Sequence, residues 1–480
     1  MSYAVIEDFR GGVDRRRSRS NGAPGTLWVG SNCHITKGGE IHKRYKMVPK
    51  YQLYPGHTWG MKGVGTKRYV FGYEDSAGFP PTGIPSGVTY QRLVHPVDAT
   101  TPISRVLDAI AFQGGVYTIV EFTDMAVHHY WNGTRVTDWD GGAGNPTAKG
   151  RFGIAIGSKI YIAAGSIVYF CDINDPTNWT TGGTNGAGFF NVTSSGKGSE
   201  DLVAMTEFQN GIAFFASSFS QIWTVDADPT KNAVRNTIDN AGAVCPHAVV
   251  NFGNIDSFVL SSTGIRSLRQ QTINGQPYAA DMGDNIDDLV QLDLSALDVN
   301  VLARSQAAVS PTDGRVWFWI GERIYVLSSF SSSKIQAWSW YDMAGILPNN
   351  LDVIAGRINL RSGDTIYVYG GDSGREFDTD DSDLYHADVE LPYMNAGRIA
   401  DDKTATSYNV GLTGEWEVYM KSNPQDPDIE DALGIVNLFT YPDPTYPMGI
   451  ESTHFAPRFR SRLPGAATIS TFAFGFERAE

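Results

Sequence analysis

Cysteine is scarce in this sequence: Cys33, Cys171 and Cys245 stand alone, with no Cys-x-x-Cys pair. That spacing excludes a disulfide framework, a zinc finger and a thioredoxin-like redox centre. Long apolar runs are absent too, and none reaches the roughly 20 residues that a membrane-spanning helix requires. No charged segment followed by an apolar stretch marks a secretory leader, so the chain is expected to stay in a cytoplasm without membrane insertion. The Asn-x-Thr triplets at Asn132, Asn178 and Asn191 are accordingly read as chance. Helix signals are also few. Asp284–Val290 alone places Ile286, Leu289 and Val290 at helical spacing behind an acidic cap.

Basic residues are sparse beyond the first 68 positions. That stretch holds 13 Lys+Arg against 4 Asp+Glu, a balance of +9, and the remainder carries −23. An acidic body gives duplex DNA no hold, because duplex binding depends on neutralising phosphates. DNA that met this chain would pass by it. Within the basic stretch, Arg10, Arg15, Arg16, Arg17 and Arg19 cluster between Gly11-Gly12 and Gly22, with Trp28 following. The run reads as a mobile or docking-ordered arm, and docking to an acidic protein surface is preferred to DNA contact.

What is abundant is the short strand. Ile110-Ala-Phe-Gln, a Gly114-Gly115 turn and Val116-Tyr-Thr-Ile-Val-Glu121 read as a hairpin. The same form returns at Phe152–Ile162, Val203–Phe215, Ala248–Leu260, Ala307–Ile320 and Asp352–Tyr369. Turn glycines at 65, 114, 157, 211, 253, 314 and 363 are separated by 49, 43, 54, 42, 61 and 49 residues. A unit of that length holding several strands is the mark of a β-propeller, where a sandwich would need fewer, unrepeated strands. The expected fold is all-β: a propeller of six or seven blades over 60–370, an N-terminal basic arm and docking segment over 1–59, and a small β-rich domain over 371–480. The helical segment falls in the longest interval, as a blade insertion would.

Catalytic and metal motifs fail one by one. Gly371-Asp-Ser-Gly374 resembles a serine-protease nucleophile loop, but it is also a good β-turn and has no matching histidine segment. Asp378, Asp380, Asp381, Asp383 and Asp388 form an acidic loop, yet an EF-hand starting at Asp378 would need Gly at 383 and Glu at 389. That loop is read as solvated, with calcium left open over 378–390. Ser310-Pro-Thr-Asp-Gly314 is an ordinary Asp-Gly hairpin turn. His128 and His129 point to opposite faces of a strand and cannot share a metal from there. No enzyme, metal or cofactor is expected.

The order Phe9-Arg-Gly-Gly-Val-Asp14, Gly25-Thr-Leu-Trp28, Asn32 and Gly39-Glu-Ile-His-Lys-Arg44 resembles the start of podophage tail nozzle proteins, also called tail tubular protein B or the tail stabilisation hub. Val168–Trp179, Gly264-Ile-Arg-Ser-Leu268 and Thr453–Ser461 extend the resemblance over most of the chain. It implies a structural virion protein of the tail, assembled in the host bacterial cytoplasm as a homo-hexameric ring. Such a ring would sit below tail adaptor and portal-vertex proteins, near tail fibres or tip proteins. It would continue the DNA-ejection channel and retain the genome, with double-stranded DNA passing through without sequence-specific binding. The alternative is a tail-associated propeller that binds or degrades carbohydrate, using Trp and Tyr as sugar platforms.

Overall fold

A computed structural model describes residues 2–72, 83–95, 97–98, 100–132, 136–139, 150–181, 186–253, 256–274, 282–396, 401–437 and 445–478. The repeated hairpins fold as seven blades around one axis. Their innermost strands are Gly60–Val64, Ile103–Phe112, Phe152–Ile156, Ala204–Phe208, Val249–Phe252, Gln306–Ser310 and Asn350–Ile354. Each packs against the next, and the seventh packs back against the first, which closes the ring. The blade number left open by the sequence is therefore seven.

The turn glycines show why the count was nearly legible. Those at 65, 114, 157, 253 and 314 all have positive φ and join the first strand of a blade to its second. Asn210, at φ 62, does the same work beside Gly211. These left-handed positions favour Gly and Asn because a Cβ clashes there. Gly363 is one hairpin late: it joins the second and third strands of blade 7, whose inner turn is Ala355-Gly356.

Aromatic side chains fill the seams between blades. Trp223 of blade 4 stacks on Phe190 of blade 3 at 4.2 Å. Trp317 and Tyr341 of blade 6 lie at 4.6 and 6.1 Å from Tyr369 of blade 7. Burying such rings removes on the order of 150–250 Å² each from water, so the seams carry much of the propeller's stability. The helical expectation holds: a 3-10 turn at Asp284–Ile286 leads into the helix Asp287–Ala296. A helix at Leu268–Asn274, not expected from the sequence, packs against three-stranded blade 5.

Two features depart from the linear division of the chain. The outermost strand of blade 7 is Met47–Gln52, paired antiparallel with Thr365–Tyr369. The position read as an arm boundary, residue 59, therefore falls beyond a strand that belongs to the propeller. Four of the remaining N-terminal strands join the C-terminal ones in a sandwich. One sheet runs Thr445–Ser452, Lys403–Thr413, Thr468–Arg478, Ile41–Lys43, Cys33–Ile35, with Ser2–Ile6 also along Thr468–Arg478. The other continues blade 6 outward from Ile335–Asp342 through Val29–Ser31, Asp388–Glu390, Ala456–Ser461, Glu415–Lys421 and Asp431–Asn437. Phe459 and Phe472 meet between the sheets at 5.3 Å, and Phe455 and Phe474 at 5.4 Å.

Candidate docking surface and central channel

The arm is built into the body, which corrects the mobile reading. Phe9 is fully buried and its N–H donates to the Gly39 carbonyl at 2.8 Å. Gly12-Val13 pairs in parallel with Thr26-Leu27 and lies against the last strand of blade 6. A Cβ on Gly12 would stand 2.7 Å from the Trp338 backbone N and O, so only glycine admits that approach. The Arg15 N–H donates to the Asn285 carbonyl at 2.7 Å, tying the arm to the blade-5 insertion.

The six residues singled out from sequence divide into two groups. Arg15 lies 4.0 Å above the half-buried Trp28 ring and donates from Nε to the Trp28 carbonyl at 2.9 Å. Arg19 pairs with buried Glu390, and its guanidinium stands 5.7 Å from the Tyr393 ring. These three residues hold the chain to itself. Arg10, Arg16 and Arg17 face solvent. Arg10 reaches Asp8 at 3.1 Å, and Arg16 grips Asp14 through two bonds of 2.9 and 2.8 Å. That grip, the largest influence on the Asp14 carboxyl, holds its pKa below the ordinary value.

Sequence reasoning missed the ion pairs that join the arm to the C-terminal part and brace the sandwich itself. Lys43 and Asp378 pair with neither side chain exposed. Arg44 stacks 3.8 Å over Tyr385. Glu390 receives Lys421 at 3.0 Å as well as Arg19, and Arg458 bridges Asp388 and Glu430. A signal for Lys43 existed: it shares the inward face of its strand with Ile41, two positions away.

The acidic loop is not left as a bare solvated cluster. Asp378 is taken by Lys43, Asp383 by Lys46 and Asp388 by Arg458, while Asp380 accepts from Ser382. The Lys46 ammonium is the main reason the Asp383 carboxyl titrates well below its usual range. Among the described residues no group of three or more His, Cys, Asp or Glu is arranged to hold a metal. Gly371–Gly374 is a turn in which the Ser373 hydroxyl accepts from the Arg375 N–H at 3.1 Å. His128 and His129 are both buried, and the His128 Nδ1 lies 2.8 Å from the Tyr117 hydroxyl.

The seven inner strands surround a central cavity of about 540 Å³. Four of its polar side chains tie blades together. Asp108 of blade 2 accepts from the Gly153 N–H of blade 3 at 2.8 Å. Gln306 of blade 6 accepts from the Leu351 N–H of blade 7 at 3.0 Å. Asp352 of blade 7 accepts from the Gly63 N–H of blade 1 at 2.7 Å and stands 3.4 Å from Lys62. His247, just before blade 5, reaches across to the Leu107 carbonyl of blade 2 at 3.2 Å. The first three bonds satisfy backbone donors on the inner strands, and the fourth satisfies a backbone carbonyl.

The fold defines the class: an all-β protein whose seven-bladed propeller is closed by its own N-terminal strand and carries a β-sandwich. No family model matches the chain, and no curated protein does. Among solved structures, Hsv2 of Kluyvelomyces marxianus is similar at 10% identity and TM-score 0.30, over 54% of this chain and 73% of that one. The β-propeller domain of Cps50 (Swd1) from Myceliophteria thermophila is similar at 10% identity and TM-score 0.41, over 68% of this chain and 99% of that one. These findings correct the function expected from the opening motifs. The structural likeness found is to fungal β-propeller proteins and reaches no further than the fold, so the tail-nozzle role is withdrawn. The tail-associated carbohydrate propeller is withdrawn with it.

Proposed function

We propose that this chain is a non-enzymatic assembly protein that docks to acidic protein surfaces, copies of itself included, through Arg10, Arg16 and Arg17. One observation carries the reading. The inward cations Arg19 and Lys43 pair with buried carboxylates, while Arg10, Arg16 and Arg17 stay exposed on backbone fixed against blade 6, the first two beside the local carboxylates Asp8 and Asp14. Cations held in place lose little entropy on docking, and complementary charge speeds and orients encounter. Asp108, Gln306 and Asp352 of the channel, meanwhile, are committed to joining blades.

The test is the mass of the full chain in solution across a salt gradient, compared with the charge-reversed variant R10E/R16E/R17E. The expected result is assembly of the wild type at low salt, its loss at high salt, and its absence in the variant at an unchanged thermal midpoint. A wild type that stays monomeric at low salt, or a variant that assembles like it, would overturn the self-docking reading.

A further inference from the structure

The hairpin formed by Cys33–Ile35 and Ile41–Lys43 is the piece that joins the sandwich to the propeller. One of its strands continues the sheet of Thr468–Arg478, and the other packs on the last strand of blade 6. At its centre His34 and His42 lie directly opposite each other in register, with rings stacked at 5.2 Å. His34 is buried, and its Nδ1 lies 2.8 Å from the Tyr341 hydroxyl of blade 6. That hydroxyl in turn accepts from the Tyr369 hydroxyl of blade 7 at 3.3 Å. His42 packs against Tyr45 at 5.7 Å and Phe377 at 5.6 Å.

We propose that the His34–His42 pair is an acid-sensitive catch, which holds the N-terminal hairpin on blades 6 and 7 while both rings are neutral and releases it when they gain protons. The argument is one of charge in a closed space. Two imidazolium rings stacked face to face would repel, and a buried charge without a counter-ion is costly.

The charged and titratable groups around the pair come from every element packed on it. Blade 6 contributes Arg315, which holds the Ile35 carbonyl at 3.2 Å and pairs with Asp313, and it contributes Tyr341. Blade 7 contributes Tyr369, whose hydroxyl accepts from the Tyr45 N–H at 3.2 Å. The hairpin and the segment after it contribute Glu40, Lys43, Arg44 and Tyr45. Asp313 is committed to Arg315 and Lys43 to Asp378, which leaves Glu40 as the one local influence raising His42 through charge. Burial outweighs both Glu40 and a Lys43 backbone hydrogen bond that favours the charged His42: both imidazoles titrate below the ordinary value, His34 well below, with Arg315 adding to the effect of burial.

The sign follows from linkage. A histidine kept neutral in the folded hairpin binds fewer protons than in the opened one once the pH falls below about 6.5. The hairpin is therefore held fully above that pH, and its opening constant rises by up to about tenfold per pH unit for each histidine below it.

The experiment is hydrogen exchange of the full chain, read by mass spectrometry over a descending pH series and corrected for intrinsic exchange. Peptides covering 33–43 should lose protection in acid with a slope approaching about 100-fold per pH unit for two coupled histidines. In H34F/H42F that response should vanish, while blade 2, which keeps its own buried His128, still responds. Should the double variant fail to fold, H42F alone should reduce the slope to about tenfold per unit. A wild-type hairpin whose protection does not change with pH, or a slope that either substitution leaves intact, would overturn the proposal.

Discussion

The Lys43 Nζ lies 2.8 and 2.7 Å from the two carboxylate oxygens of Asp378, and neither side chain is exposed. A residue from the basic opening of the chain thus neutralises the first carboxylate of the acidic loop, 335 positions away. The Gly465 N–H adds a bond to the same carboxylate at 3.1 Å. Breaking this pair from one side strands a buried charge, which costs about 3–5 kcal/mol, whereas replacing both partners by apolar groups is often close to neutral. Lys43→Met should therefore lower the unfolding free energy by that amount in urea titrations, and adding Asp378→Leu should restore most of it. A single variant within 1 kcal/mol of wild type, on the order of a surface pair's worth, would show that the pair is not buried in solution.

At Gly12 the arm meets backbone on blade 6, where no side chain can swing aside. Its φ of 55 is left-handed, and a methyl group there would collide with the Trp338 backbone. Gly12→Ala should cost about 2–4 kcal/mol, from the left-handed penalty plus overpacking against backbone that has nowhere to move. Thermal unfolding of the variant measures this. An unchanged midpoint would mean that the arm does not lie on blade 6.

Ring closure can be tested by a crosslink. Val48 of the N-terminal strand sits directly opposite Val368 of blade 7. With both replaced by cysteine, oxidation should proceed readily, and the oxidised form should exceed the reduced one by about 2–4 kcal/mol, since the bond closes a long loop of the unfolded chain. Failure of the two thiols to join, seen by mass spectrometry, would contradict the closure.

His128 supplies a separate acid response. Burial is the main cause that pushes its pKa down to about 3, so the folded chain keeps it neutral where the unfolded chain takes a proton. Stability from this group is complete above about pH 6.5 and falls as the pH drops, by about 2 kcal/mol at pH ~5. His128→Gln should flatten that share of the pH dependence of the urea midpoint. A wild-type midpoint that does not move between neutral and mildly acidic pH would contradict it.

The sequence by itself determined the strands, the turns and nearly the blade count. Alternating apolar residues and left-handed glycines are local signals, and each needs only its own neighbours to act. Gly363 misled by one hairpin because blade 7 turns first at Ala355-Gly356, a weaker signal a few residues earlier. The sequence also marked Arg10, Arg15, Arg16, Arg17, Arg19 and Trp28 as a cluster, but not which of them faces inward.

The tertiary structure alone decided where the two ends of the chain go. Pairing of Met47–Gln52 with Thr365–Tyr369, of Lys43 with Asp378 and of Arg19 with Glu390 joins residues more than 300 positions apart. No local periodicity encodes such partners, because a strand edge accepts any strand and a carboxylate any cation until packing selects one. The basic opening looked like an arm awaiting a partner. For Arg19 that partner is Glu390, in the C-terminal sandwich of the same chain.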